Sequence, residues 1–381
     1  AGFSIVIARA FGSGETHKMK KAVAGSIEIG IFTTLILTIL SMFLLKPLLV
    51  LIDTPQEIMD QALAYISVIG YFVFVMFAYN LCSGILRSIG NSFMPLVFLV
   101  FSSILNIFLD YACMAWLNMG VAGAAIATVI SQGISAVLCI IYMITKVKEV
   151  VPQKEDFAWD SEMMKDLAGQ GYAMALMGSI VSVGSIILQS GINGLGTKII
   201  AGHVAARKVY ALMNLPFISI GVALSTFIGQ NKGSNQGERI LRAMKDAYLF
   251  DVVFAAVCSL ILWFGAPSLI HLISGSNDPT IIGNGSKFLY VVGPFYAVLG
   301  MLMQTRFALQ GLGSKILPLF SSVIECVGKI LFTMFLIPVF QYNAVIWCEP
   351  IIWCLMLIEL LISFECNSYI KDVKKQMKLK V

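Results

Sequence analysis

Charge is what this 381-residue chain has least of: 12% of its residues are Asp, Glu, Lys or Arg, against about 25% in soluble domains. It has no CxxC or Cys/His cluster. The eight cysteines lie scattered in apolar segments, as small side chains packed among helices, and support neither a disulfide framework nor a metal site. The three histidines, His17, His203 and His271, show no metal-ligand spacing. No glycine-rich phosphate loop of the Walker type is present, which argues against ATP as an energy source. Nor is there a clustered nucleophile or acid pair, so an enzyme and a bound cofactor are not expected. The net charge of +5 is too small to imply nucleic-acid binding.

What stands in place of charge is apolar surface. Hydrophobic residues make up 58% of the chain, and mean hydropathy is +0.87. A soluble fold cannot hide that much, whereas a bilayer solvates it. The chain therefore reads as an all-α polytopic membrane protein with the lipid bilayer as its partner. At about 20 residues per crossing, full spans are expected near 22–45, 57–83, 93–116, 120–145, 167–191, 199–229, 240–265, 284–308, 315–339 and 344–367. A partial helix precedes them over residues 1–11.

The loops orient the spans. Lys18, Lys20, Lys21, Arg87, Lys146, Lys148, Lys154, Lys165, Lys232, Arg239, Arg242, Lys315 and the tail from Lys371 to Lys380 all fall on one side. Asp53, Glu57 and Asp278 fall on the other. Lys and Arg collect in the cytoplasm, so the C-terminus is expected there, in a multi-pass protein of the cell membrane.

Two marker loops recur. Leu224 to Ala243, LSTFIGQNKGSNQGERILRA, echoes Ser4 to Ala22, SIVIARAFGSGETHKMKKA, at an offset of 221 (233 − 12). Leu86 to Pro95, LRSIGNSFMP, echoes Leu309 to Pro318, LQGLGSKILP, at 223 (318 − 95). A repeat this long implies two homologous halves. The expected fold is two parallel six-helix bundles related by a pseudo-two-fold along the membrane normal. Mapped back by 221, Leu167 falls before residue 1. That predicts an N-terminally truncated twelve-helix protein, lacking its first helix and most of its second. The expected organisation is an N-terminal lobe over 1–146, a cytoplasmic linker over 147–166, a C-terminal lobe over 167–368 and a basic tail over 369–381.

These motifs resemble the multidrug and toxic compound extrusion (MATE) family of secondary transporters. The pieces are Gly12-Ser-Gly-Glu15, Ser83-Gly-Ile-Leu-Arg-Ser-Ile-Gly90, Leu105-Asn-Ile-Phe-Leu-Asp110, Gly120-Val-Ala-Gly-Ala-Ala-Ile-Ala-Thr128, Gly229-Gln-Asn-Lys-Gly233 and Trp347-Cys-Glu-Pro350. Their order and spacing, over Ile5 to about Phe364, carry the resemblance. It implies cation-coupled efflux by a monomer. Arg9 stands where the family often has Gln, and Asn91 where it often has Asp. There is no Asp or Glu between Leu167 and Gly237, nor from Gly283 to Glu325. The helix-seven and helix-ten acids of sodium-coupled members are therefore missing, and the coupling ion, Na⁺ or H⁺, does not carry over.

Charges inside membrane helices are costly and face a cavity or a partner. Glu325 and Lys329 sit one helical turn apart on one face, either as a cavity-facing proton or cation site or as a neutralised pair. Asn106 is the first-half counterpart of Lys329, and Asp110 lies one turn beyond it. Glu349 precedes Pro350, which breaks the local ladder, and its counterpart is Thr128. Arg207 and Lys208 lie too deep for easy snorkelling and are expected to pair with Glu325 or Glu349. Gln189 and Asn193 place amides on one face, lining the cavity or bonding neighbouring helices. The expected function is an antiporter exporting small organic, often cationic, compounds for Na⁺ or H⁺. The alternatives are a lipid-linked oligosaccharide flippase, marked by a strongly cationic cavity, or a non-functional truncated remnant.

Overall fold

The computed structural model describes residues 2–51 and 54–379; Asp53 and Lys380 lie outside the described residues. All regular structure described is helical. The described helices are α1 (Gly2–Gly12), α2 (Thr16–Leu51), α3 (Gln56–Tyr71), α4 (Val73–Ser88), α5 (Phe93–Tyr111) and α6 (Gly120–Lys146). They continue as α7 (Ser161–Asn193), α8 (Thr197–Gly233), α9 (Gly237–Ser274), α10 (Pro279–Val292), α11 (Tyr296–Gly311) and α12 (Leu317–Leu331). A short α13 (Ile337–Phe340), then α14 (Tyr342–Cys366) and α15 (Ser368–Leu379), complete the set.

Among the described residues nine helical spans are long and apolar enough to cross a membrane. A tenth forms if α3 and α4, bent by 49°, count as one. These match the ten expected crossings, and α1 is the partial helix. Large apolar side chains point outward, Phe264 at 82% exposure and Leu51 at 77% among them. Such a surface suits lipid rather than water. Pro47, Pro216, Pro267 and Pro350 all sit inside helices. Each removes one backbone donor, which neighbouring helices in a bundle tolerate.

The chain forms two compact units, Ala1–Gly171 and Tyr172–Val381. In the first, α6 packs against α3, α4 and α5, while α2 packs against α1, α3 and α4. Ser102 and Ser135 of α5 and α6 donate across that interface to the carbonyls of Ser131 and Phe98. The polar segment expected as a linker is structured against this unit. It makes two 3₁₀ turns, 148–150 and 154–157, under α2, with Val150 fully buried. Asp156 meets His17 at 3.0 Å, Asp160 meets Lys21 at 3.5 Å, and Asp166 meets Arg9 at 2.6 Å. The Asp160 carboxyl is held below its ordinary value, first by the backbone N–H of Met163. Polar residues give no hydrophobic signal for docking, but these acids match Arg9 of α1 and the basic start of α2.

In the second unit α8 packs on α9, α10 and α11, α11 also contacts α9 and α14, and α12 lies along α14. Close approach rests on small residues. A Cβ at Gly202 of α8 would stand 2.5 Å from the Ile281 carbonyl oxygen, and one at Gly285 of α10 would stand 2.8 Å from the Gly202 oxygen. On the opposite side from the basic loops, Asp278 caps α10 by accepting from Thr280 N–H, and it pairs with Lys198 at 2.7 Å.

The repeat is visible in the backbone. Positive φ occurs at Gly14 and at its counterpart Asn235, at Gly90 and Gly313, and at Asn118 and Gln341. Turns of π-helix follow both α5, over Ala112–Trp116, and α12, over Phe332–Leu336.

Two predictions follow from this packing. Gly202→Ala is expected to lower the thermal midpoint of the solubilised protein by an amount equivalent to about 1–3 kcal/mol, the range for overpacking. Gly265→Ala, with nothing within 4 Å, leaves it unchanged or raises it. Lys198 and then the Thr280 N–H hold the Asp278 carboxyl down at about 2, below the free value of about 3.9. Its contribution is therefore present above about pH 4 and lost as pH falls toward about 2. In Asp278→Asn, the fall of the thermal midpoint across that window is expected to shrink.

Candidate functional site

The second unit gathers ionic groups among apolar helices. Arg207 sits ten residues into α8, and its Nη1 donates to both carboxylate oxygens of Glu349 on α14, at 2.7 Å each. The guanidinium lies 4.5 Å above the Tyr210 ring, which stacks on Trp353. That face orients the arginine through its planar charge. The Glu349 side chain is 8% exposed and that of Arg207 38%, so the acid is sealed and the cation reaches open space.

Lys329 on α12 donates to Glu325 Oε1 at 2.8 Å and to Ser185 Oγ of α7 at 3.0 Å. Arg306 of α11 donates through Nε to Ser321 Oγ at 3.0 Å, and its Nη2 lies 3.8 Å from Glu325 Oε2. Glu325 therefore bridges two cations. Between the two clusters is a cavity of about 90 Å³ whose walls include Ser185, Gln189, His203, Arg207, Lys329 and Glu349. That volume is room for a few waters. His203 Nδ1 is 3.3 Å from the Tyr342 hydroxyl, and the ring stands edge-on to Phe288.

The remaining expected residues divide. Gln189 and Asn193 share a face, but Gln189 Nε2 donates to Asn193 Oδ1 at 2.9 Å rather than to a neighbouring helix. Lys208 does not join the network: it is exposed and forms no ion pair among the described residues. Adjacent helical residues point about 100° apart, so only Arg207 faces α14. In the first unit, Asn106 donates weakly to Asp110 at 3.5 Å, and Thr128 turns back onto the Ala124 carbonyl at 3.0 Å. These three form no ionic cluster like that of the second unit. Among the described residues no group of three or more His, Cys, Asp or Glu is arranged to hold a metal.

A model of the MatE family matches residues 1–112 and 173–335. The chain belongs to the MatE family. It is 27% identical over 339 residues to a protein of Thermotoga maritima described as probable multidrug resistance protein NorM, covering 85% of this chain and 70% of that one. It is 26% identical over 272 residues to Bacillus subtilis YpnP, described as a probable multidrug resistance protein; that match spans 71% of this chain but only 59% of the relative. A crystal structure of MATE in the bent conformation superposes with a TM-score of 0.87 over 98% of this chain and 83% of that chain, at 20% identity. This MatE chain is accordingly a multi-pass membrane protein.

Sequence reasoning missed Arg306, His203 and Ser185. Arg306 left a signal, as a lone cation in an otherwise uncharged run from Tyr296 to Gln310. His203 and Ser185 left none, because nothing in their spacing points to the cavity. For the core of the site, Arg207→Ala strands a sealed Glu349 carboxylate and is expected to cost about 2 kcal/mol, read as a lowered thermal midpoint. Adding Glu349→Gln removes the stranded charge and restores most of the loss. An additive double mutant would show that the pair is not coupled.

Proposed function

We propose that this chain is a secondary antiporter that exports small organic, often cationic, compounds from the cell in exchange for Na⁺ or H⁺. The observation that carries this reading is the ionic cavity of the second unit, where Arg207–Glu349 and Lys329–Glu325 line or adjoin an open space within apolar helices. Charges are retained at such depth where they serve a substrate or ion path. Glu349 and Glu325 each hold a basic partner that a cation or proton can displace. Displacement frees Arg207 or Lys329 and changes which helices are tied together, giving ion binding a structural consequence.

Other features support the same reading. The names of the Thermotoga and Bacillus relatives point to drug export. The cavity mixes acid and base, whereas a flippase for lipid-linked sugars calls for a strongly cationic one. The Lys- and Arg-rich loops support a cytoplasmic C-terminus, and the proposed working unit is a monomer.

Efflux of a fluorescent organic cation from proteoliposomes, with Na⁺ and H⁺ gradients imposed separately, tests the proposal. One gradient is expected to drive efflux. Lys329→Gln should slow it by about tenfold or more, the equivalent of one hydrogen bond between charged groups. Absence of efflux under both gradients, or an unaffected Lys329→Gln, would refute the reading.

A further inference from the structure

A second kind of acid lies outside the cavity network. Asp251 of α9 is 0% exposed and forms no ion pair among the described residues. Gln304 Nε2 of α11 donates to its Oδ1 at 3.2 Å. The same nitrogen donates to the Phe217 carbonyl of α8, also at 3.2 Å, one residue beyond Pro216. Asp251 Oδ2 and Gln304 Oε1 are both buried without a hydrogen-bond partner. Two orphaned acceptors on one bonded pair are expensive in a dry interior. A single proton on Oδ2 neutralises the carboxylate and turns one orphaned acceptor into a donor, the kind of group that the Gln304 amide oxygen lacks.

Among the described residues no ion pair relieves the carboxylate form. A Cβ on Gly300 of α11 would lie 2.7 Å from Asp251 Cγ and 2.7 Å from the Phe217 ring, so backbone presses on the carboxyl from that side. On the helices packed against α9, Lys198 of α8 holds Asp278, Lys208 of α8 and Lys371 and Lys375 of α15 are exposed, and the more enclosed cations have partners of their own. Arg207 of α8 holds Glu349, Lys287 of α10 holds Asn343, Arg306 of α11 holds Ser321 and Glu325, and Lys374 of α15 holds Glu365. The titratable neighbour is a phenol, Tyr248 of α9, bonded to Thr305 Oγ1 at 2.7 Å. Lys245 and Asp246 of α9 are exposed.

We propose that Asp251 is a proton-binding site, buried as the neutral acid in a reciprocal pair with Gln304 while α8, α9 and α11 remain packed. It releases its proton to water, leaving the electron pair on the carboxylate, when that packing opens. The proton thus favours one conformation over the other, which is the condition for a ligand to shift an equilibrium. Naming H⁺ as the exchanged ion rests on the export reading above. The proton site itself does not.

The test is infrared spectroscopy of the purified, lipid-reconstituted chain at neutral pH, comparing it with Asp251→Asn. The carbonyl band of a protonated carboxylic acid is expected in the unmodified protein and lost in D251N, whose amide copies the donating form. Carbon-13 labelling of aspartate should shift that band in the unmodified protein, which keeps the test valid should D251N fail to fold. Identical spectra, or no labelled acid band, overturn the site. In efflux assays D251N is expected to lose the response to a pH gradient; a retained response overturns its role in coupling. Failure of the unmodified chain to transport under any gradient sinks the export reading, and the infrared result is independent of it.

Discussion

Hydrocarbon offers no solvation to an ion, so a charged side chain buried among these helices brings its partner with it. The partner's helix is then fixed as well. Arg207–Glu349 joins α8 to α14, Lys329–Ser185 joins α12 to α7, and Arg306–Glu325 joins α11 to α12. Van der Waals contact at small residues such as Gly202 and Gly285 sets how near the helices come. The ionic contacts set which faces meet. Removing one member of a fully buried pair costs about 3–5 kcal/mol, and less where one member reaches open space as Arg207 does, but either is a large part of a typical folding free energy. The ionic cavity and the choice of helix faces therefore depend on the same few side chains.

The two copies of the repeat have kept their backbone devices and parted in their side chains. Gly90 and Gly313 turn the chain with the same left-handed φ, and both α5 and α12 run into a π-helical turn. Yet at the offset of 223 that separates Gly90 from Gly313, Asn106 stands where the second copy has Lys329 and Ile126 where it has Glu349. Backbone turns are dictated by connection geometry that both copies share. A buried ion pair needs both partners at once, so one copy can hold the set while its equivalent positions remain neutral.

How much was legible follows from the same physics. Spans were read from the length of apolar runs, and the Glu325–Lys329 pair from its i, i+4 spacing, which any helix brings together. Helix ends were less legible. α9 covers Gly237–Ser274, well beyond the apolar stretch near 240–265, because its polar start continues the same helix. Arg207 meets Glu349 across 142 positions, a contact fixed by the relative rotation of α8 and α14, which spacing does not encode. That rotation also separates Arg207 from Lys208. Arg306 and Asp251 stood alone in apolar runs, with partners on other helices. The docking of the 147–166 segment was hidden because ion pairs such as Arg9–Asp166 leave no periodicity to read.

Three acids of the second unit, Glu349, Glu325 and Asp251, fall into two electrostatic types, and the distinction bears on how an ion gradient can act. Glu349 and Glu325 sit beside cations. When either takes a proton, the local charge changes, but a guanidinium or ammonium remains to be resolvated. The free energy of ion binding is then offset by the loss of the pair. Asp251 is hydrogen-bonded to an amide and forms no ion pair among the described residues. Its protonation changes the local charge with no ion pair to break, and it completes a hydrogen bond that was missing. Conformational bias depends on the difference in affinity between two states, not on affinity itself. A carboxyl that is neutral when packed and charged when wet carries almost all of its binding energy as that difference, whereas a paired carboxyl carries much of its own in both states.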